Sequence, residues 1–540
     1  MLRHSLNLAP KLFHKLVRND IKLQRTDNYI ARTSSCFHTT TINNNVTDNR
    51  LLYDQLCDIV GMDNVSKAEA VREQYGRDES HFNPVLADFV IWPLNTDHVS
   101  RISRLCYDSN VAITLFGTGT GLEGGVNALK GGVCLATNKM NQIIEVNVED
   151  FDCTVEAGVT WRELNQYLSD TGLFFPIDPG ASASLGGMSA TNASGTNAVR
   201  YGTMKENVLN MEVVLPTGEV MKAAGIKARS RKSAAGFNLT ELFIGSEGIL
   251  GTVTQLTLRL YPIPETTYLC VCPFQDNEAA INTVVLLLQN GIPLSRIEYV
   301  DSHSIRASNQ YSKGDLLVKP SLYMEIAGNQ TIIDSMVELV KEIVLDNGAL
   351  DFQHSNIMEE RSHLWKARHD LYYACRNFDT RPNIRALITD VCVPISKLPE
   401  IILKMRQYLD KYKINGSSFG HVGDGNFHSV ITYDPNDSVE TGTVFMISEM
   451  IAEEAIRLGG TCTGEHGIGR GKIKFLQKEY DTVSLEVMKK IKQTIDPKKP
   501  IQSGKSFDHT IALYDINISN HFKILIILFS KFSQNILSYV

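Results

Sequence analysis

The sequence predicts an α+β protein built from two unlike folded parts, and three observations carry that prediction. Short strand-like runs alternate with helical patterns over residues 84–264, and three glycine-rich loops interrupt them. Beyond Pro264 a second alternation of strands and amphipathic helices begins, in two similar halves, which suggests one antiparallel sheet covered by helices. The totals agree with this reading. At 540 residues the chain holds roughly three to four domains' worth of material. Its 43% hydrophobic and 21% charged content is that of an ordinary globular protein. A net charge of −7 argues against nucleic acid as the main partner. The ten cysteines are scattered without a CxxC pair, so neither a disulfide framework nor a zinc ribbon is suggested, and a reducing compartment fits best.

Residues 1–47 carry seven Lys or Arg against Asp20 and Asp27, with Leu6, Leu8, Leu12, Phe13, Leu16 and Val17 near helical spacing and a Ser/Thr-rich stretch after them. That is the acid-poor, amphipathic character of a mitochondrial transit peptide. Residues 48–83 read as helical, with LLYDQLCDIVG spaced for one buried face. Over 84–264, strands are expected at FVIWP, VAITLFG, GVCLAT and CTVEAG and helices at 97–109 and 161–170. A Pro-Thr-Gly hairpin follows in NMEVVLPTGEVMKA, then a last strand in ILGTVTQLTLRLYP. Over 265–505 the reading gives helices at 277–290, 331–346, 356–376, 396–411 and 441–458. Strands are expected at RIEYVD, SLYMEIAG and LITDVCVP, and as one long strand at SFGHVGDGNFHSVITY. The tail, 506–540, has an apolar run of six residues (524–529), far short of the ~20 that span a bilayer, so no transmembrane segment is read there.

The loop LFGTGTGLEGG contains a literal GxGxxG at Gly119, Gly121 and Gly124 after a strand-like run. A nicotinamide-binding fold requires a helix to start inside that loop. Here VNALK, two more glycines and another strand follow, which leaves no room for one. Successive backbone N–H groups in such a turn can still cradle a pyrophosphate. PGASASLGGMSATNASGTNAVRYG has 18 of 24 residues drawn from Gly, Ala, Ser, Thr and Asn, too small-residued to build its own core. With GSEGILG it makes three loops through which backbone can closely approach a large dinucleotide.

Two further loops carry metal chemistry. In HVGDGNFH, His421 and His428 bracket a Gly-Asp-Gly turn, and imidazole is the commonest protein ligand for transition metals. Downstream, TCTGEHGIGRG offers Glu465 and His466 in a second glycine frame. Asp424 is read as capping the turn between the histidines. Taken alone, these loops also suit a metal-dependent hydrolase.

The three glycine loops together resemble the flavin-binding domain of the vanillyl-alcohol oxidase/PCMH type, in the type 4 family of FAD-binding oxidoreductases/transferases. HVGDGNFH with TGEHGIG is similar to that family's D-2-hydroxy-acid dehydrogenase branch, and the resemblance spans about residues 50–505. It implies an FAD-binding part over 84–264 and a substrate or cap part with an antiparallel sheet and a metal site over 265–505. FAD would be held by Gly117, Thr118, Gly119, Thr120, Gly121, Gly180, Ser184, Leu185, Gly186, Gly187, Ser194, Gly195, Gly248, Ile249 and Gly251. Some relatives tether the flavin through a histidine of the first loop; residues 115–125 contain none, so the FAD is expected to be noncovalent. The resemblance also implies a divalent metal, zinc or manganese, on His421, His428 and Glu465, and Arg368 as the substrate arginine. A guanidinium can grip a carboxylate with two hydrogen bonds.

His466, with an ordinary pKa near 6.5, is the expected general base. The implied reaction takes D-lactate, or another small D-2-hydroxy acid, to its keto acid, with hydride passing to flavin N5 and electrons to cytochrome c. The rivals of the same chemistry are D-2-hydroxyglutarate and glycolate oxidation. Thr389 stands where the resemblance implies a lysine in a dicarboxylate-specific relative, which favours a small apolar acid.

Overall fold

A computed structural model describes residues 42–505 apart from positions 499 and 503. Most of the expected leader, 1–41, and the expected tail, 506–540, lie outside the described residues. A short unit ending at Met62 carries the helix Ile42–Val60, and the chain from Asp63 onward forms a second unit. The helical reading of 48–83 resolves into that helix and a second, Glu69–Tyr75.

Within the second unit the first lobe holds two larger sheets and a two-stranded one. Val65–Ser66 (β1), Phe89–Ile91 (β2), Ile113–Phe116 (β3) and Val133–Ala136 (β4) pair in the order β1-β2-β4-β3, with β2, β4 and β3 parallel. The crossover from β2 to β3 is the helix Thr96–Ser109. The Asn95 side chain caps it by accepting from His98 N, and its buried face is Val99, Ile102 and Cys106. Ile143–Asn147 (β5), Asp152–Glu156 (β6), Leu173–Phe174 (β7), Val208–Val214 (β8), Val220–Lys222 (β9), Thr252–Arg259 (β10) and Tyr261–Pro262 (β11) follow. Five of these form an antiparallel sheet ordered β5-β6-β10-β8-β9, while β7 pairs with β11. The expected Pro-Thr-Gly hairpin is β8 and β9, turned at Gly218, whose φ of 86° suits a residue without a Cβ.

The second lobe is one seven-stranded sheet. Thr266–Pro273 (β12), Leu294–Val300 (β13), Ser321–Gly328 (β14), Gln353–Ser355 (β15), Arg385–Cys392 (β16), Gly416–Gly420 (β17) and Asn426–Tyr433 (β18) pair antiparallel in the order β15-β12-β14-β13-β17-β18-β16. Side chains alternate between its faces. Ile297, Tyr299, Leu387, Val391, Phe427 and Ile431 enter a core under the helices Asn277–Gln289, Gln330–Asp346, Leu398–Tyr412 and Ser438–Arg457. Their strand neighbours Glu298, Ile388, Asp390, His428 and Val430 face the other way. That second face packs Leu269, Val300 and Tyr323 against Trp365, Leu371 and Ala374.

Three local expectations change. The stretch 418–433, read as a strand with a Gly-Asp-Gly turn inside it, is the hairpin β17–β18, because Gly425 (φ 92°) turns the chain where a Cβ would collide with the Val393 carbonyl oxygen. The helix expected at 356–376 is two, Met358–His369 and Leu371–Phe378, separated by Asp370 with ψ of −3°. The stretch assigned to the cap also ends back on the first lobe. Ile501 bridges Ile113 at the edge of β3, and Ile491 and Ile495 of the helix Thr482–Ile495 pack on the first lobe's core.

Candidate active site

One cavity gathers the glycine loops of the first lobe and the polar residues of the second. After β3 the chain runs to β4 without a helix, turning at Gly119 (φ 73°) and Gly124 (φ 71°), so the GxGxxG is a backbone nest and not a nicotinamide-type helix start. Gly117, Thr118, Gly119, Thr120 and Gly121 line the cavity with Gly180, Ser184, Gly186, Gly187, Gly248 and Gly251. Four expected cofactor residues are placed otherwise. Leu185 and Ile249 are buried in the first lobe's core, Gly195 packs against Asp178, and the Ser194 hydroxyl donates to Glu465 Oε2 at 2.7 Å.

The cavity's chemistry fits a dinucleotide. Ser184 Oγ is buried without a hydrogen-bond partner among the described residues, and a Cβ added at Gly117 would run into it. A bare hydroxyl beside side-chain-free backbone suits a ligand that brings its own acceptor oxygens.

His421, in the turn of the β17–β18 hairpin, and His428, on β18, converge on Glu465 from the loop after the helix Ser438–Arg457. Glu465 Oε1 lies 3.6 Å from His421 Nε2 and 3.1 Å from His428 Nε2. One ligand atom from each lies within 4.8 Å of the others. Behind each ring stands a buried carboxylate. Glu298 Oε1 is 2.6 Å from His421 Nδ1, and Asp390 Oδ1 is 3.6 Å from His428 Nδ1. Carboxylates behind the far nitrogens of two converging histidines are the arrangement that orients metal-ligating rings. Burial alone would depress the His421 pKa. The facing Glu298 and Glu465 outweigh it and hold the imidazole well above its ordinary value, so the centre favours positive charge. These residues therefore fit a divalent cation.

His466 lies stacked on His428, with ring centroids 4.9 Å apart and planes 8° apart. Burial, more than the neighbouring His428 and Lys472, lowers its pKa to about 4 against the pull of Asp390. The ordinary value expected from sequence does not survive enclosure; the ring is neutral at neutral pH. Its Nδ1, 3.9 Å from Asp390, has no hydrogen-bond partner among the described residues. Asp390, His428 and His466 also lie close enough to share an ion. Asp390 Oδ2 is already taken by the backbone N–H groups of Gly464, Glu465 and His466 and by the Thr463 hydroxyl. That carboxylate shapes the loop carrying Glu465 and His466, and the set around Glu465 is the better cation site.

Arg368 lines the same cavity, 7% exposed, with two of its five N–H donors on Glu298. A buried guanidinium needs such a counter-charge. The opposite edge, Nη1 and the second hydrogen of Nη2, has no partner among the described residues and can take a second carboxylate. Arg361 and Arg376, on the same run, pair instead with Glu325 at 3.4 Å and Glu79 at 3.8 Å. Thr389 does not line the cavity. Its hydroxyl accepts from Ser429 N at 3.0 Å on the sheet's other face, so the cavity wall here is Ile388, Phe419 and Val430. Asp424 accepts from Asn426 N at 3.2 Å, as a turn cap does.

Sequence reasoning missed the residues that join the lobes. Glu247, in GSEGILG, accepts from Ile468 N at 2.8 Å and Gly469 N at 2.7 Å. Glu123, in GLEGG, pairs with buried Lys472 at 3.2 Å. The available signal was an acid embedded in each of two glycine loops, where nothing else calls for charge.

Residues 87–224 match the family of FAD binding domains and residues 263–505 the family of FAD linked oxidases, C-terminal domain. The chain is 49% identical over 452 residues to a probable mitochondrial D-lactate dehydrogenase of Danio rerio, covering 84% of this chain and 90% of that one. It is 40% identical over 445 residues to the mitochondrial D-lactate dehydrogenase [cytochrome] of Arabidopsis thaliana, covering 82% and 78%. Among solved structures, p-cresol methylhydroxylase with substrate bound superposes with a TM-score of 0.71 at 17% identity, covering 86% of this chain and 97% of that one. That likeness shows the fold, which is the PCMH type.

Proposed function

The chain belongs to the FAD-linked oxidases, in the branch of the mitochondrial D-lactate dehydrogenases, and from that membership we propose how its residues take D-lactate to pyruvate. Noncovalently bound FAD would supply the hydride acceptor and, at His421, His428 and Glu465, a divalent metal, zinc or manganese, would supply positive charge beside the substrate oxygens. The open edge of Arg368 binds the carboxylate. Ile388, Phe419 and Val430 form the apolar wall that receives the methyl group and offers no second cation for a dicarboxylate. His466 accepts the hydroxyl proton as a neutral base, and Asp390 stabilises the imidazolium that results. The electrons leave to a cytochrome, as the name of the Arabidopsis relative implies, with cytochrome c the acceptor we infer. The basic stretch over 1–47 fits import into the mitochondrion.

The observation that carries this reading is that Arg368, His421, His428, Glu465 and His466 all border the cavity that the three glycine loops line. The test is anaerobic bleaching of the flavin's visible absorbance by D- and L-2-hydroxy acids, with metal analysis of the same sample. Parent protein should bleach with D-lactate. His466→Ala should retain its flavin and fail to bleach; rapid bleaching by that variant overturns the base assignment.

A further inference from the structure

We propose that Glu298 is a positioning residue that sets two parts of the site at once, the ring of His421 and the guanidinium of Arg368. The inference rests on reading His421, His428 and Glu465 as a metal set. Glu298 lies inside β13, where strand alternation turns it away from the core that takes Ile297 and Tyr299. Its side chain has no exposed surface. Oε1 faces His421 Nδ1 at 2.6 Å, while Oε2 accepts from Arg368 Nε at 2.9 Å and from Arg368 Nη2.

An ionised carboxylate offers only acceptor sites. His421 must therefore give it Nδ1–H, which leaves Nε2, 3.6 Å from Glu465 Oε1, as the nitrogen that would bind a cation. The other oxygen occupies the inner edge of Arg368 and leaves the outer edge for substrate. One rigid side chain in the middle of a sheet thus sets the spacing between the end that binds a carboxylate and the end that binds a cation. Phe419, under the Arg368 guanidinium at 5.0 Å, holds the arginine's plane but reaches neither carboxylate oxygen.

Glu298→Gln separates this role from general stability. The amide oxygen can still accept from Arg368, but the amide nitrogen is a donor toward Nδ1, which forces the proton of His421 onto Nε2 and removes the lone pair a cation needs. Zinc affinity of the flavin-loaded protein, measured by competition with a chromophoric chelator, is the readout, with flavin absorbance and thermal midpoint recorded on the same samples. We expect one zinc per parent chain and an affinity about 10–100-fold weaker in Glu298→Gln at unchanged flavin content, the usual effect of removing a ligand's carboxylate partner. A merely structural role would lower flavin content and midpoint and leave zinc affinity alone. Unchanged affinity in the flavin-loaded variant overturns the proposal. If Glu298→Gln does not fold, Glu298→Asp keeps the charge but is too short to reach both partners, and the same two outcomes decide. A parent protein that takes up no zinc or manganese overturns the metal reading and this inference with it, whereas a metal-binding parent with an unaffected variant overturns the inference alone.

Discussion

Replacing Lys472 with methionine should destabilise the protein by about 3–5 kcal/mol, by a margin that widens at alkaline pH. Lys472 is 8% exposed, and its ammonium lies 3.2 Å from Glu123 Oε1 and 3.3 Å from Asp390 Oδ2. Removing one partner of a buried pair leaves an uncompensated charge, and that is where the 3–5 kcal/mol arises. Asp390 keeps its donors from Thr463 to His466, so most of the cost falls on Glu123. Burial already lifts the Glu123 pKa from 4.5 to about 7, with Lys472 pulling it down. Without the lysine it climbs further.

The sign of the pH effect follows. A carboxyl whose folded pKa is raised holds its proton more tightly when folded, so stability declines as pH rises from the unfolded value to the folded one and is level above it. In the parent that decline ends near 7, and in the variant it continues upward. Unfolding entropy of about 2 cal/mol/K per residue sums to about 1 kcal/mol/K for a chain of this length, so the loss reads as about 3–5 °C of thermal midpoint. Melts of flavin-loaded parent, Lys472→Met and the double variant Lys472→Met/Glu123→Gln, at about pH 6 and about pH 9, test this. The double variant should recover most of the loss, since replacing a buried pair as a whole is often neutral. A gap under about 1 °C at the higher pH, equal gaps at both, or no recovery in the double variant would refute the reasoning.

Other perturbations probe other parts of the fold. Gly425→Ala places a Cβ against the Val393 carbonyl at φ of 92°, so the histidine hairpin should distort and zinc affinity should fall at least tenfold; unchanged affinity in a competition titration contradicts that. Gly442, in the helix Ser438–Arg457, has nothing within 4 Å of an added Cβ, so Gly442→Ala should stabilise by about 0.5–1 kcal/mol, read as a raised thermal midpoint. Burial, aided by Arg470, Arg385 and Lys474, lowers His81 from 6.5 to about 4. A histidine held neutral contributes stability that is full above about 6.5 and lost as pH falls toward 4, on the order of 1–3 kcal/mol after allowing for partial exposure. His81→Asn should flatten that acid limb in melts between about pH 7 and 5, and an unchanged limb argues against it.

Much of the architecture was legible because it is written in local pattern. Strand and helix periodicity anticipated the hairpin β8–β9 and the alternation that builds the seven-stranded sheet, both of which depend on neighbours in the chain. The missing helix after Gly121 was legible from the few residues before β4. The turn through Gly425 was legible as a glycine turn, but its close approach to the Val393 carbonyl, about thirty residues earlier in the chain, was not.

The sequence by itself determined the ingredients: flavin-type glycine loops, two histidines across a turn, Glu465 and His466 side by side, and Arg368 in a helical run. Only the tertiary structure decided how they work together. It pressed His466 into a buried stack and lowered its pKa, turned Thr389 away from the cavity in favour of Ile388, and put Glu298 and Asp390 behind the two histidines. The physical reason is that residue type and spacing specify what a side chain can donate or accept. Burial, tautomer and partner come from β13, β16 and the 463–472 loop, segments far apart in sequence that meet only when the lobes close around the cavity.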